Sequence, residues 1–271
     1  MRAIAIGLLL TVAGVMAQAQ TQAPAQTQAP AYRAPRTPDG KPNLNGIWQS
    51  MNTANFNIEA HPASASPVRD LGASGAIPAG LGVVEGGEIP YLPEARKKQQ
   101  ENYANRLKLD PEIKCYLPGV PRSTYQGMPF QIIQSTKHIM MIHEFAGAVR
   151  TIYMADQTEA PADSWMGWSN GRWEGETLVV DTKGFNDLSW FDRAGNFHSD
   201  ALHVVERFTP RSAETLNYEV TIEDPKVFSR PWKMSMPLYK HVERNAQILE
   251  FRCVEFVEDL LYGHLRKQPA K

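Results

Sequence analysis

Cysteine is almost missing from this chain: its 271 residues carry two, Cys115 and Cys253. There is no C-x-x-C pair, and so no thioredoxin-type redox motif. Also missing are G-x-S-x-G, a Walker loop, a G-x-G-x-x-G turn after a strand and H-E-x-x-H. Their absence removes the standard serine-hydrolase elbow, phosphate loop, dinucleotide turn and zinc-protease helix. No charge of one sign dominates. Lys plus Arg number 28 against 29 Asp plus Glu, and the only dense basic cluster is Arg96-Lys97-Lys98. That balance argues against a nucleic-acid partner. Beyond the N-terminus, no apolar run approaches the roughly 20 residues that a membrane-spanning helix needs.

What is present starts with an export signal. Met1-Arg2 is followed by an apolar run to Met16 and an A-x-A site at Ala17-Gln18-Ala19. Residues 1–19 therefore read as a signal peptide cut after Ala19, and no Cys follows to carry a lipid. The expected location is periplasmic or extracellular. Residues 20–36, rich in Gln, Ala and Pro, read as a disordered tether. Residues 37–271 remain as one domain with enough length for a sizeable core. In an oxidising compartment Cys115 and Cys253 are expected to pair, the alternative being two buried thiols. The bond would close a loop of more than 130 residues, worth about 4–5 kcal/mol by chain entropy.

The patterning is β. Strands are expected at residues 130–134, 138–146, 149–155, 177–182, 201–208, 215–223, 232–239 and 247–256, with Gly46-x-Trp48 on a first strand. Pro93-Glu94 opens one surface helix to about Lys108, and VEDLLYGHL near the C-terminus reads as a second. Residues 52–88 form a long excursion, residues 110–129 an irregular stretch, and Met166 to Trp173 a Trp- and Gly-rich loop. The expected fold is an all-β antiparallel barrel, lipocalin-like (calycin-like), with one or two short peripheral helices.

Several segments together carry a resemblance: PDGKPNLNGIW, DPEIKCYLPGVPR, PFQIIQ, GRWEGETLVVDTKGFND, SDALHVVERF and IEDP. They resemble a large group of secreted proteins common in soil and aquatic Gram-negative bacteria. The resemblance covers most of the mature chain and implies secretion and one domain. It supplies no catalytic residues.

Chemistry has to be read from the residues. Alternation places Glu206 on one face with Leu202, Val204 and Phe208, where an unpaired carboxylate would be costly. It is either an acid/base group or, more simply, half of a Glu–Arg pair lining the barrel. Glu144 shares a face with Met140 and Ile142, and Arg150 across the turn is its natural partner. His143 reads as a hydrogen-bonded core or rim histidine. The loop from 186 to 203 holds Asp192 and His198, a candidate pair in which the acid orients the imidazole. The H-x-D-x-x-H spacing of His198, Asp200 and His203 fits no standard zinc signature. Trp168, Trp173 and Trp190 suit a pocket for a small molecule.

The leading expectation is a barrel that binds a small apolar or aromatic molecule without a cofactor. Catalytic candidates are His198, Asp192 and Glu206; ligand-binding candidates are Trp168, Trp173, Trp190, Glu144, Arg150 and His143. The alternatives are a cofactor-independent lyase, isomerase or hydrolase on the same barrel, and a structural envelope protein.

Overall fold

The computed structural model describes residues 32–68, 72–73, 75–155 and 158–254. The signal peptide, most of the tether and the proposed C-terminal helix lie outside the described residues. Nine strands close into a barrel in chain order. They are β1 Gly46–Ser50, β2 Phe130–Gln134, β3 His138–His143, β4 Val149–Tyr153 and β5 Trp168–Glu174, then β6 Thr177–Lys183, β7 His203–Pro210, β8 Thr215–Glu223 and β9 Trp232–Lys240. Every neighbouring pair is antiparallel except β4 with β5, which is parallel. The sheet is therefore mixed rather than purely antiparallel, and the chain must return along the barrel between Tyr153 and Trp168.

Alternation sets the wall. Ile139, Met141 and His143 of β3 point inward, as do Val204, Glu206 and Phe208 of β7 and Leu216, Tyr218, Val220 and Ile222 of β8. The interior is filled by these side chains, so the barrel is a packed core. Strand β5 occupies the stretch expected to be a loop. The reason is Gly171, where an added Cβ would lie 2.4 Å from Met154 Sδ and 2.6 Å from an Ile152 methyl. Glycine here lets two strands approach, a common use of glycine inside a strand.

The two ends of the barrel differ. One end carries the short turns β2–β3, β5–β6 and β7–β8. The other, the mouth, is covered by three long connections: residues 51–129, 184–202 and 224–231. The first contains helix α1 (Pro93–Ala104), helix α2 (Arg106–Leu109), a 3-10 turn at Pro111–Lys114 and helix α3 (Arg122–Tyr125). Helix α1 starts with Pro at its first turn, as expected. It docks less by an apolar stripe than by polar groups: Gln99 donates to the Ala194 carbonyl (2.7 Å) and Asn102 to the Gly195 carbonyl (3.3 Å).

Residues 247–254 are not a strand. β9 already pairs with β1, so the barrel offers no edge for another strand. The segment instead lies beside the β3–β4 turn, with Phe251 against Phe145 (5.1 Å between rings) and Leu249 N–H donating to Glu144 (3.0 Å). Cys253 bonds to Cys115, with Cα atoms 5.6 Å apart. The end of the expected tether is also held: Ala34 is buried, and Arg36 pairs with Glu176.

Candidate functional site

Inside the wall, a polar belt crosses five strands. Arg150 on β4 donates to Ser169 Oγ on β5 (2.8 Å) and Thr182 Oγ1 on β6 (2.8 Å), and pairs with Glu206 on β7. Tyr218 on β8 donates to the other Glu206 oxygen (2.7 Å). Each member is buried. Glu206 is thus the barrel-lining ion pair, and its partner is Arg150. Arg150 does not turn to Glu144, because its position on β4 points it into the barrel. With both carboxylate oxygens engaged by fixed donors, Glu206 is tied into structure.

His143 lies inside the same wall, against Phe130 (5.3 Å between rings). It is 2% exposed, and neither ring nitrogen has a hydrogen-bond partner among the described residues. Burial first, and the nearby Arg150 charge second, push its pKa down to about 3. It is a neutral core histidine.

The mouth holds a second charged cluster. Arg122 donates to both Asp110 oxygens (2.9 and 3.1 Å), to Glu112 Oε2 (2.7 Å) and to Asn55 Oδ1 (2.8 Å). Arg193 closes a bidentate pair with the same Glu112 (2.7 Å twice). Burial opposes ionisation of Glu112, yet Arg122 and then Arg193 hold its pKa at about 2.

Asp192 belongs to this covering. Its carboxylate accepts from the backbone N–H of Ile58 (2.9 Å), Ala194 (2.9 Å) and Asn196 (3.2 Å), and from Asn196 Nδ2 (2.6 Å). Burial pushes its pKa up to about 7 against those donors. Four donors fix the 192–196 turn and clamp it to residue 58. Asp192 makes no hydrogen bond to His198, so the two do not form the expected pair.

His198 has other partners. Its Nδ1 meets the Ser199 carbonyl at 2.8 Å, and its Nε2 meets Ser189 Oγ at 2.7 Å. A carbonyl only accepts, so Nδ1 carries the proton and Nε2 accepts from the serine hydroxyl. Burial lowers the His198 pKa below its ordinary value, which keeps the ring neutral. Ser199 is braced in turn: its N–H and Oγ donate to the two oxygens of Asp224 (2.6 and 2.8 Å). Gly119 packs on Ser189 so closely that a Cβ would fall 2.3 Å from Oγ. Among the described residues, no group of three or more His, Cys, Asp or Glu is placed to hold a metal ion.

His198 also lines a cleft of about 420 Å³ at the mouth, with Trp165, Tyr116, Trp190, Phe197 and Leu188. Tyr116 and Trp165 pack at 5.1 Å between rings. The tryptophans expected to share a pocket are separated. Trp190 is in this cleft. Trp168 is half-buried and stacks on Tyr153 at 4.4 Å. Trp173 lies at the opposite end, in a cleft of about 500 Å³ with Arg172, Lys41 and Asn45. The sequence did not point to Tyr116 as a cleft wall or to Ser189 as the partner of His198. Four Trp residues between 165 and 190 were the visible signal for an aromatic site; no motif marked Ser189.

Comparison with protein-family models and with curated proteins finds no match.

Proposed function

We propose that this is an exported, lipocalin-like barrel protein of the periplasm or exterior, and that it binds a small apolar or aromatic molecule at the covered mouth. The observation that supports the reading is the mouth cleft, where Trp165, Tyr116, Trp190 and Phe197 face one concave space. Rigid aromatic walls with a few polar groups are what a small aromatic ligand requires. The barrel interior is already packed, so the ligand sits above it rather than within it. Export rests on the N-terminal signal and on the resemblance to secreted proteins; N-terminal sequencing of the mature protein should start at Gln20.

Titration of the full mature chain with 1-naphthol, followed by tryptophan fluorescence, tests the binding. Saturable quenching is expected, weakened at least tenfold in Trp165→Ala with an unchanged melting curve. A linear, non-saturating response, or equal affinity in the variant, would refute the site.

A further inference from the structure

We propose that the cleft of about 500 Å³ at the end of the barrel opposite the mouth is a second binding site, for a neutral saccharide, with the Trp173 indole as its stacking floor. The site is independent of the mouth cleft: the two share no lining residue.

The floor follows from strand alternation. Ser169 and Gly171 of β5 are buried on the inner face, and Trp173 is the next residue on that face. It is half-buried, packs against the core and also lines the cleft. An indole face is apolar and electron-rich, and the C–H groups along one face of a pyranose ring meet it favourably. Among the described residues Trp173 is the one aromatic side chain in this lining, where the mouth cleft has Tyr116, Trp165, Trp190 and Phe197. A ligand suited to it offers one apolar face and is polar elsewhere, as a sugar ring does.

The rim supplies groups that hydroxyls require. Asp39 brings carboxylate acceptors, and Lys41 brings ammonium donors. The Thr37 hydroxyl donates to Asp39 and holds its carboxyl below the ordinary pKa, so it accepts as an anion. Asn45 and Gln134 each spend one amide N–H within the protein, on Asn43 Oδ1 (2.8 Å) and on the Pro42 carbonyl (3.0 Å). Each Nδ2 or Nε2 keeps a second proton to donate. Charge decides for a neutral sugar. Asp39 and Lys41 oppose one another, and Arg172 is paired with Glu174 on its own strand (2.8 Å).

The rim is also fixed in advance. The 37–41 turn closes through Thr37 N–H to the Lys41 carbonyl (2.9 Å) and Gly40 N–H to the Thr37 carbonyl (2.8 Å). Gln134 ties this turn to β2: its side chain accepts from Leu44 N–H and donates to Pro42, and its own N–H donates to Asn45 Oδ1 (2.8 Å). The Arg36–Glu176 pair pins the same segment to the β5–β6 turn. A rim already held in place gives up little freedom on binding, so modest hydroxyl contacts translate into affinity.

Saturation-transfer difference NMR on the full mature chain tests the site, with cellobiose, maltose, N-acetylglucosamine and methyl β-glucopyranoside as probes. At least one should show saturable transfer, strongest on its ring C–H protons. Affinity for that sugar should fall at least tenfold in Trp173→Ala. It should fall at least threefold in Asp39→Ala, where the altered side chain is exposed and its loss is not a folding defect. Melting curves check both variants. 1-Naphthol should not displace the sugar, and Trp165→Ala should bind it unchanged. Absence of saturable transfer to all four probes, or undiminished affinity in a folded Trp173→Ala or in Asp39→Ala, would overturn the proposal. Displacement by 1-naphthol would put the sugar in the mouth cleft and overturn it as well. Sugar binding without saturable 1-naphthol binding would leave this site standing and the mouth reading fallen.

Discussion

Arg150 and Arg122 are both buried and both ion-paired, yet they solve different problems. Arg150 projects from a strand into a wall whose backbone is already fixed by ladders on both sides. It faces one carboxylate, and serine, threonine and tyrosine hydroxyls complete the belt. Arg122 sits on a four-residue helix within a covering that has little regular structure of its own. It gathers Asp110 and Glu112 from the turn just before it and Asn55 from much earlier in the chain, and Glu112 passes the link on to Arg193. In the wall, the sheet positions the charge. In the covering, the charges position the chain, in place of the apolar stripe that would anchor a longer helix.

Replacing each arginine sharpens that contrast. Arg122→Met leaves the buried Asp110 without its arginine, removes one of the two arginines on Glu112 and breaks the bond to Asn55, so it should be the most damaging change, at or above about 3–5 kcal/mol, the usual cost of breaking a buried pair. Urea unfolding measures it, and loss of near-ultraviolet signal from the mouth tryptophans should accompany it. Arg150→Met strands only Glu206, which keeps its Tyr218 bond, so the loss should be smaller, toward the lower end of that range. The double change Arg150→Met with Glu206→Leu should recover most of it. If Arg150→Met proves the worse of the two, the wall depends on its charge as much as the covering does, and the contrast fails.

Smaller again is the disulfide. It joins the covering at Cys115 to the segment after the last strand at Cys253. Cys115→Ser with Cys253→Ser should cost about 2–4 kcal/mol in the same unfolding assay, below the chain-entropy figure because the unfolded chain keeps residual structure.

The smallest effect has the opposite sign. His143 is buried without a partner, so His143→Leu should stabilise the protein by about 1–3 kcal/mol. The pH dependence follows from the pKa. His143 is neutral when folded down to about pH 3, whereas the unfolded chain takes up its proton near pH 6.5. The unfolded state thus binds more protons between those values, and stability is lost as pH falls through that window. The advantage of the leucine variant should therefore widen from pH 6.5 downward. A constant difference between pH 7 and pH 4 would mean that His143 is not held neutral.

The same two regions show what the sequence made legible. The wall could be read because side-chain alternation is local. β2 and β8 have the expected bounds, and Glu206 faces inward with Leu202, Val204 and Phe208 as their spacing required. Gly171 concealed β5, since a glycine between tryptophans resembles a turn until the neighbouring strand is seen pressing on it. The covering could not be read, because its contacts join residues far apart in sequence. Asp192 and His198 are six positions apart and belong to different networks, one reaching Ile58 and the other leading through Ser199 to Asp224. Nothing near Ser189 announces it as a partner of His198, and Gly119, which makes room for it, is seventy positions upstream.

Barrel closure by β1 and β9 has a consequence for how the chain comes to be made. Residues 46–50 must wait for residues 238–240. Until nearly the whole polypeptide has emerged, β1 and whichever strand was made last each present an unpaired row of backbone donors and acceptors, a template for pairing with other chains. The growing chain thus has no intermediate length at which its sheet is sealed. Protection before residue 240 must come from outside the sheet, and a ribosome stalled anywhere short of it would display a protein with two sticky flanks.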